Sequence, residues 1–148
     1  MLQALGWEVR AEVSYSVYGE RGSIDILGWH EASRALLVVE VKTELVSIEE
    51  TIRKHDQKTR LAANVAAQQL GWEPRTTSRL LAFPDWSTPR RRVARHGGVL
   101  DVAYPIRGAA MRSWLRSPER DAAGLLFIRV VSVGGAINHK RLRCKRAA

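Results

Sequence analysis

Glu40 and Lys42 stand two residues apart at the end of an otherwise apolar run, Ala35-Leu36-Leu37-Val38-Val39-Glu40-Val41-Lys42. An extended chain alternates its side chains with period two. The acid and the amine therefore share one face, and Leu37, Val39 and Val41 take the other. Lone charge on a strand buried on both faces is costly, so the pair is either a structural ion pair or a site. A second acid bears on that choice. If Glu31, Ala32, Ser33 and Arg34 form the turn between two strands, His30 pairs with Ala35 and the antiparallel register sets Asp25 opposite Glu40. Two desolvated carboxylates so opposed require a cation between them or a proton on one of them. A slip of one residue would turn Asp25 to the other face.

Asp25 on one strand and Glu40-Val41-Lys42 on the next resemble the PD-(D/E)XK nuclease core, shared by type II restriction enzymes, Holliday-junction resolvases and many phage and repair nucleases. Ile24-Asp25 stands for the Pro-Asp pair, with Ile in place of Pro. The resemblance covers residues 6 to 83, by motif and by element order. It implies Mg2+ or Mn2+ held by Asp25, Glu40 and the Val41 carbonyl, with Lys42 positioning the attacking water. The implied reaction is hydrolysis of a nucleic-acid backbone, DNA before RNA, without a covalent enzyme intermediate. Oxygen-only donors favour those ions over zinc. Many relatives carry a further acid on a helix ahead of the first strand. Residues 1–6 hold only the last turn of such a helix, so that acid is missing or its place is taken by another such as Glu20. The family's helix after the Lys often offers a Gln or Lys to the site or to the phosphate backbone, which singles out Gln57 and Lys58, with Lys54 beside them.

The elements that must position these groups are an α/β set. Met1 to Gly6 reads as a helix end, and Trp7 to Tyr18 as a strand with Trp7, Val9, Ala11, Val13, Tyr15 and Val17 on one side. Gly19 to Gly22 reads as the turn into a second strand, and Ala35 to Thr43 as a central third strand. Ser47, with Glu50 three residues on, opens a helix that Gly71 stops after Leu70. Asp56-Gln57-Lys58 repeats the acid-x-Lys spacing inside that helix, where two residues turn side chains about 200° apart, so only the strand copy is expected to converge on a metal. His55 falls on the stripe of Ile52 and reads as packed. Leu80 to Phe83 reads as a fourth strand. Thr88-Pro89 reads as the start of a short helix carrying Arg90, Arg91 and Arg92, which suggest phosphate or nearby carboxylates. A strand over Val99 to Tyr104, a helix over Ile106 to Leu115 and a strand over Gly124 to Val131 complete the expectation. Trp86 and Trp114 read as core rather than as base-stacking platforms. The predicted fold is a restriction-endonuclease-like mixed sheet flanked by helices, one domain over residues 1–133. Its core ends near residue 83, an elaboration follows over 84–133, and a basic tail occupies 134–148.

The chain of 148 residues carries a net charge of +9, divided unevenly. Residues 1–75 hold nine Lys and Arg against eleven Asp and Glu, and residues 76–148 hold fifteen against four. A basic half beside a focused acidic site suits a metal-dependent enzyme acting on a polyanion. One cysteine, Cys144, excludes a disulfide scaffold and a cysteine zinc site. No apolar run is long enough for a membrane span and no signal pattern opens the chain, which predicts a cytoplasmic protein. A cut through both strands of a duplex calls for a homodimer or two sequential events. A nuclease-like module that binds DNA in a regulatory role without cutting it is the alternative. The remaining reading is an unrelated α/β protein in which Glu40 and Lys42 are a structural pair.

Overall fold

The computed structural model describes residues 1–130, so the basic tail expected over 134–148 lies outside the described residues. Six strands form one mixed sheet in the order β1-β2-β3-β4-β6-β5. They are β1 (Trp7–Val17), β2 (Glu20–His30), β3 (Ala35–Val41), β4 (Thr76–Pro84), β5 (Ile106–Arg107) and β6 (Ala123–Ile128). β1, β2 and β3 make an antiparallel meander, and β3, β4, β6 and β5 run parallel. The parallel step from β3 to β4 needs a crossover, supplied by α1 (Ile48–Leu70). Three shorter helices follow: α2 (Ser87–Arg95), α3 (Gly97–Ala103) and α4 (Gly108–Arg116).

Every residue of β3 is buried, as its apolar run requires. On one face, Leu36, Val38 and Leu27 pack beneath Leu61, Ala62 and Val65 of α1, and Leu81, Phe83 and Leu125 pack beneath α2 and α3. On the other face, Leu37, Val39, Leu80 and Leu126 pack against Met111 and Leu115 of α4. Ser47 caps α1, its Oγ accepting from Glu50 N–H at 3.3 Å, and Gly71 ends the helix at φ 69°.

Four local expectations are corrected. Val99 to Tyr104 is not a strand but most of α3. Leu100 and Tyr104 lie four residues apart and are buried while Val99 and Val102 are exposed, the period of a helix. The short helix starts at Ser87, with Trp86 at its cap, so Pro89 falls inside the first turn. Ile106 and Arg107 form β5, leaving α4 to begin at Gly108. The β1–β2 hairpin turns on Tyr18 and Gly19 alone, both at positive φ, so Glu20 belongs to a strand and not to the turn. The first six residues hold only a 3-10 turn, Gln3–Leu5, closed by Gly6 at φ 89°.

β1 also departs from one-sided alternation. Trp7 and Val9 pack in the core under α4, whereas Val13, Tyr15 and Val17 pack in the core under α1. The reversal coincides with Glu12, whose φ is 50° and which is skipped in the β1–β2 ladder together with Asp25. Tyr15 then lies across Gly22, its partner on β2, where an added Cβ would collide with the phenol. Gly22→Ala is expected to lower the unfolding free energy by about 1–3 kcal/mol. This outweighs the roughly 0.5–1 kcal/mol that a strand gains on losing a glycine. Urea unfolding of the two proteins measures it, and an unchanged midpoint would show that the ring can move aside freely.

Candidate active site

β2 and β3 pair from His30↔Ala35 to Ile26↔Val39, the register that a four-residue turn dictates. Beyond Ile26 the regular pairing stops, and a side chain takes over. Val41 N–H donates to Asp25 Oδ2 at 2.9 Å, which fixes the carboxylate at the end of β3. Asp25 therefore sits where both of its neighbouring ladders are interrupted, toward β1 at Glu12 and toward β3 after Val39. Glu40 lies within hydrogen-bonding reach of it, and the two residues are only 8% and 4% exposed.

Burial pushes the Glu40 carboxyl up to about 7, and the nearby Asp25 carboxylate adds to the shift. A cation opposes it. That cation is Lys58 of α1, whose Nζ contacts Glu40 Oε1 with both side chains largely buried. The helical acid-x-Lys copy is thus split. Its lysine reaches the Glu40 carboxylate, while Asp56 turns away to pair with Arg79 of β4. Lys42 follows the last residue of β3, with its backbone N–H bonded to Ala82 O at 2.9 Å. Its half-buried side chain makes no hydrogen bond or ion pair among the described residues.

Glu20 and Gln57 come together with each other. Glu20 Oε1 accepts from Gln57 Nε2 at 3.1 Å and from Arg60 Nη2 at 2.8 Å. The Arg60 bond above all lowers the Glu20 carboxyl. Buried Tyr15 feels both Glu20 and Glu40, each raising its phenol beyond what burial does. Among the described residues no three His, Cys, Asp or Glu side chains converge as a metal cluster, so Asp25 and Glu40 remain a two-carboxylate set.

The basic residues divide into engaged and free. Lys54 pairs with Glu50 at 3.5 Å on the exposed side of α1. Arg90 pairs with Asp85 and lies 4.3 Å from the Phe127 ring centroid, so a nearby carboxylate accounts for it. Among the described residues Arg91 reaches only Thr88 Oγ1, at 3.4 Å, and both it and Arg92 are exposed. α2 follows the C-terminal end of β4, the end of the sheet at which Asp25, Glu40 and Lys42 lie. Open α/β sheets take their ligands at that end. A cleft of about 400 Å³ between Arg79, Ile106 and Asp121 opens at the opposite ends of β4 and β6 and contains none of these residues. Trp114 is structural, 5.9 Å from Trp7 and donating Nε1–H to Arg120 O at 2.8 Å.

Two residues near the carboxylates serve the scaffold. His55 is fully buried, with Nε2 3.0 Å from Val38 O and Nδ1 2.6 Å from Tyr104 Oη. A carbonyl only accepts, so Nε2 carries the proton and Nδ1 accepts from the Tyr104 hydroxyl. Burial holds the His55 imidazole down to about 3. Its contribution to stability is full above 6.5 and is lost as pH falls toward 3. Glu40 acts in the opposite sense. With its carboxyl raised from 4.5 to about 7, stability is full below 4.5 and is lost as pH rises toward 7. Between pH 4.5 and 6.5 the two slopes oppose one another. In Glu40→Gln the unfolding free energy should therefore rise with pH more steeply than in the wild type, by up to about 1.4 kcal/mol per pH unit. Urea titrations across that range test this, and parallel curves for the two proteins would mean that Glu40 ionises as an ordinary surface carboxyl does. No family model, no curated protein and no solved structure matches the chain.

Proposed function

We propose that the protein is a metal-dependent nuclease of the PD-(D/E)XK type, hydrolysing phosphodiester bonds of nucleic acid and of DNA in particular. One observation carries this reading: two buried carboxylates, Asp25 and Glu40, are held within reach of each other where the strand pairing is interrupted. Such an arrangement costs stability unless a cation shares it. The element order supports the same reading. A three-stranded antiparallel meander, a long helix and a fourth strand parallel to the third form the core that the Asp25 and Glu40-Val41-Lys42 pattern implies.

The donor set suits a hard divalent ion. Asp25 keeps one carboxylate oxygen for Val41 N–H and has a second to offer, Glu40 is its neighbour, and the Val41 carbonyl lies between strand and loop. Mg2+ is commonly bound through one or two carboxylates and completes its shell with water and substrate phosphate, so a third acid is not required. Bound there, Mg2+ or Mn2+ would neutralise phosphate charge and make the attacking water more acidic. The protein's own groups do the rest. Val41 N–H orients Asp25. Lys42, on the Glu40 face and free of an internal partner among the described residues, is available to a phosphate oxygen and to the water. Arg91 and Arg92 offer exposed charge to the flanking backbone at the same end of the sheet.

A second reading has its own support. Lys58 already supplies Glu40 with a counter-charge, as a nuclease-like module that binds DNA without cutting it would permit. Cleavage assays separate the two. With plasmid and oligonucleotide substrates in Mg2+ or Mn2+, the wild-type chain is expected to cut. Asp25→Asn and Lys42→Ala should each lose about 100-fold or more while still binding DNA. Arg91→Ala with Arg92→Ala should weaken binding uniformly across sequences and flatten its salt dependence. Salt-dependent binding without cleavage in either metal would favour the regulatory module, and absence of both would remove nucleic acid as the partner.

A further inference from the structure

We propose that Lys58 is the resident counter-ion of the Asp25–Glu40 pair, and that a divalent cation enters this site only by displacing the Lys58 ammonium from Glu40. The inference rests on the metal-dependent reading above and adds a residue that reading does not require. Three observations on the helix and strand carry it.

The first is position. The buried residues of α1 are Ile48, Thr51, His55, Leu61, Ala62, Val65 and Ala66, and Lys58 falls between His55 and Ala62 on the stripe they form. Its side chain is only 15% exposed, so the ammonium is aimed at the sheet and not left to water. The second is the contact itself. Lys58 Nζ meets Glu40 Oε1, one of the oxygens a metal would need. A monovalent ammonium and a divalent ion cannot both sit against that oxygen without strong repulsion. The third is the absence of a competitor for the role: the side chain of Lys42 touches no carboxylate among the described residues. Lys58 therefore balances the carboxylates when no metal is bound. Once displaced, it carries a positive charge at the mouth of the site, where a nucleic-acid phosphate would need one.

Mn2+ binding to the full chain, followed by the electron-spin signal of free Mn2+, tests the proposal without any substrate. Lys58→Met is expected to bind Mn2+ at least about tenfold tighter than wild type. Lys58→Arg, which keeps the charge, and Lys42→Met, which removes the other lysine, should both stay near the wild-type affinity. Equal affinity in wild type and Lys58→Met, with binding lost in Glu40→Gln, would overturn the role of Lys58 and leave the metal site standing. Binding by none of the proteins would overturn both. Should Lys58→Met fail to fold, the wild-type chain answers by NMR. The Lys58 methylene signal, assigned by its loss in Lys58→Arg, should move toward the position of solvated lysines as Mg2+ is added. A signal that stays in place at Mg2+ concentrations that saturate the site would overturn the proposal.

Discussion

A carboxylate on a strand covered on both faces has to be compensated, and much of the structure around Glu40 is that compensation. Asp25 cannot supply it, being another anion, and is itself committed to the Val41 N–H. The charge comes from across the helix–sheet interface, from Lys58. That single contact fixes how α1 must lie on the sheet, because an ammonium on a side chain of limited reach has to meet a strand residue whose own position is set by pairing on both sides. The interface is consequently more polar than the Ala-rich second half of α1 would suggest.

Neighbouring contacts keep the same interface in register. His55 bridges the Val38 carbonyl and the Tyr104 hydroxyl, so one imidazole ties α1 both to the central strand and to α3. Arg79 reaches up from β4 to Asp56 of α1, donates to Ala103 O at 2.9 Å and lies 4.9 Å from the Tyr104 ring centroid. On the far face the arrangement is simpler. Trp7 Nε1–H donates to Leu115 O at 2.9 Å and pins α4 beside β1, with apolar packing supplying the rest. The chemistry-bearing groups thus lie on the face with the directional contacts, where misplacement by a turn of helix would break several bonds together.

Much of this arrangement could be read in the chain. The turn at Glu31 to Arg34, the pairing of β2 with β3 from His30↔Ala35 to Ile26↔Val39 and the capped helix from Ile48 to Leu70 follow from turn length, period-two counting, Ser47 and Gly71. What could not be read depended on three dimensions. The resemblance singles out Lys58 for the site or for the phosphate backbone, but its contact with Glu40 has no local mark, because a lysine on a helix does not show which way it turns. Its place on the stripe of His55 and Ala62 was the available signal. Val99 to Tyr104 has β-branched residues at two positions and looks like a strand, but its burial follows Leu100 and Tyr104, four apart, and tertiary packing prevailed over propensity. The break at Glu12 was invisible because residues of one parity stay apolar on both sides of it.

That break has a mechanical meaning. An edge strand ordinarily contributes to a single core, yet β1 sends Trp7 to one and Val13, Tyr15 and Val17 to the other. Peeling the strand away would open both layers at once. The layers are thereby riveted into one cooperative unit, and the domain cannot shed its α4 side while its α1 side stays whole.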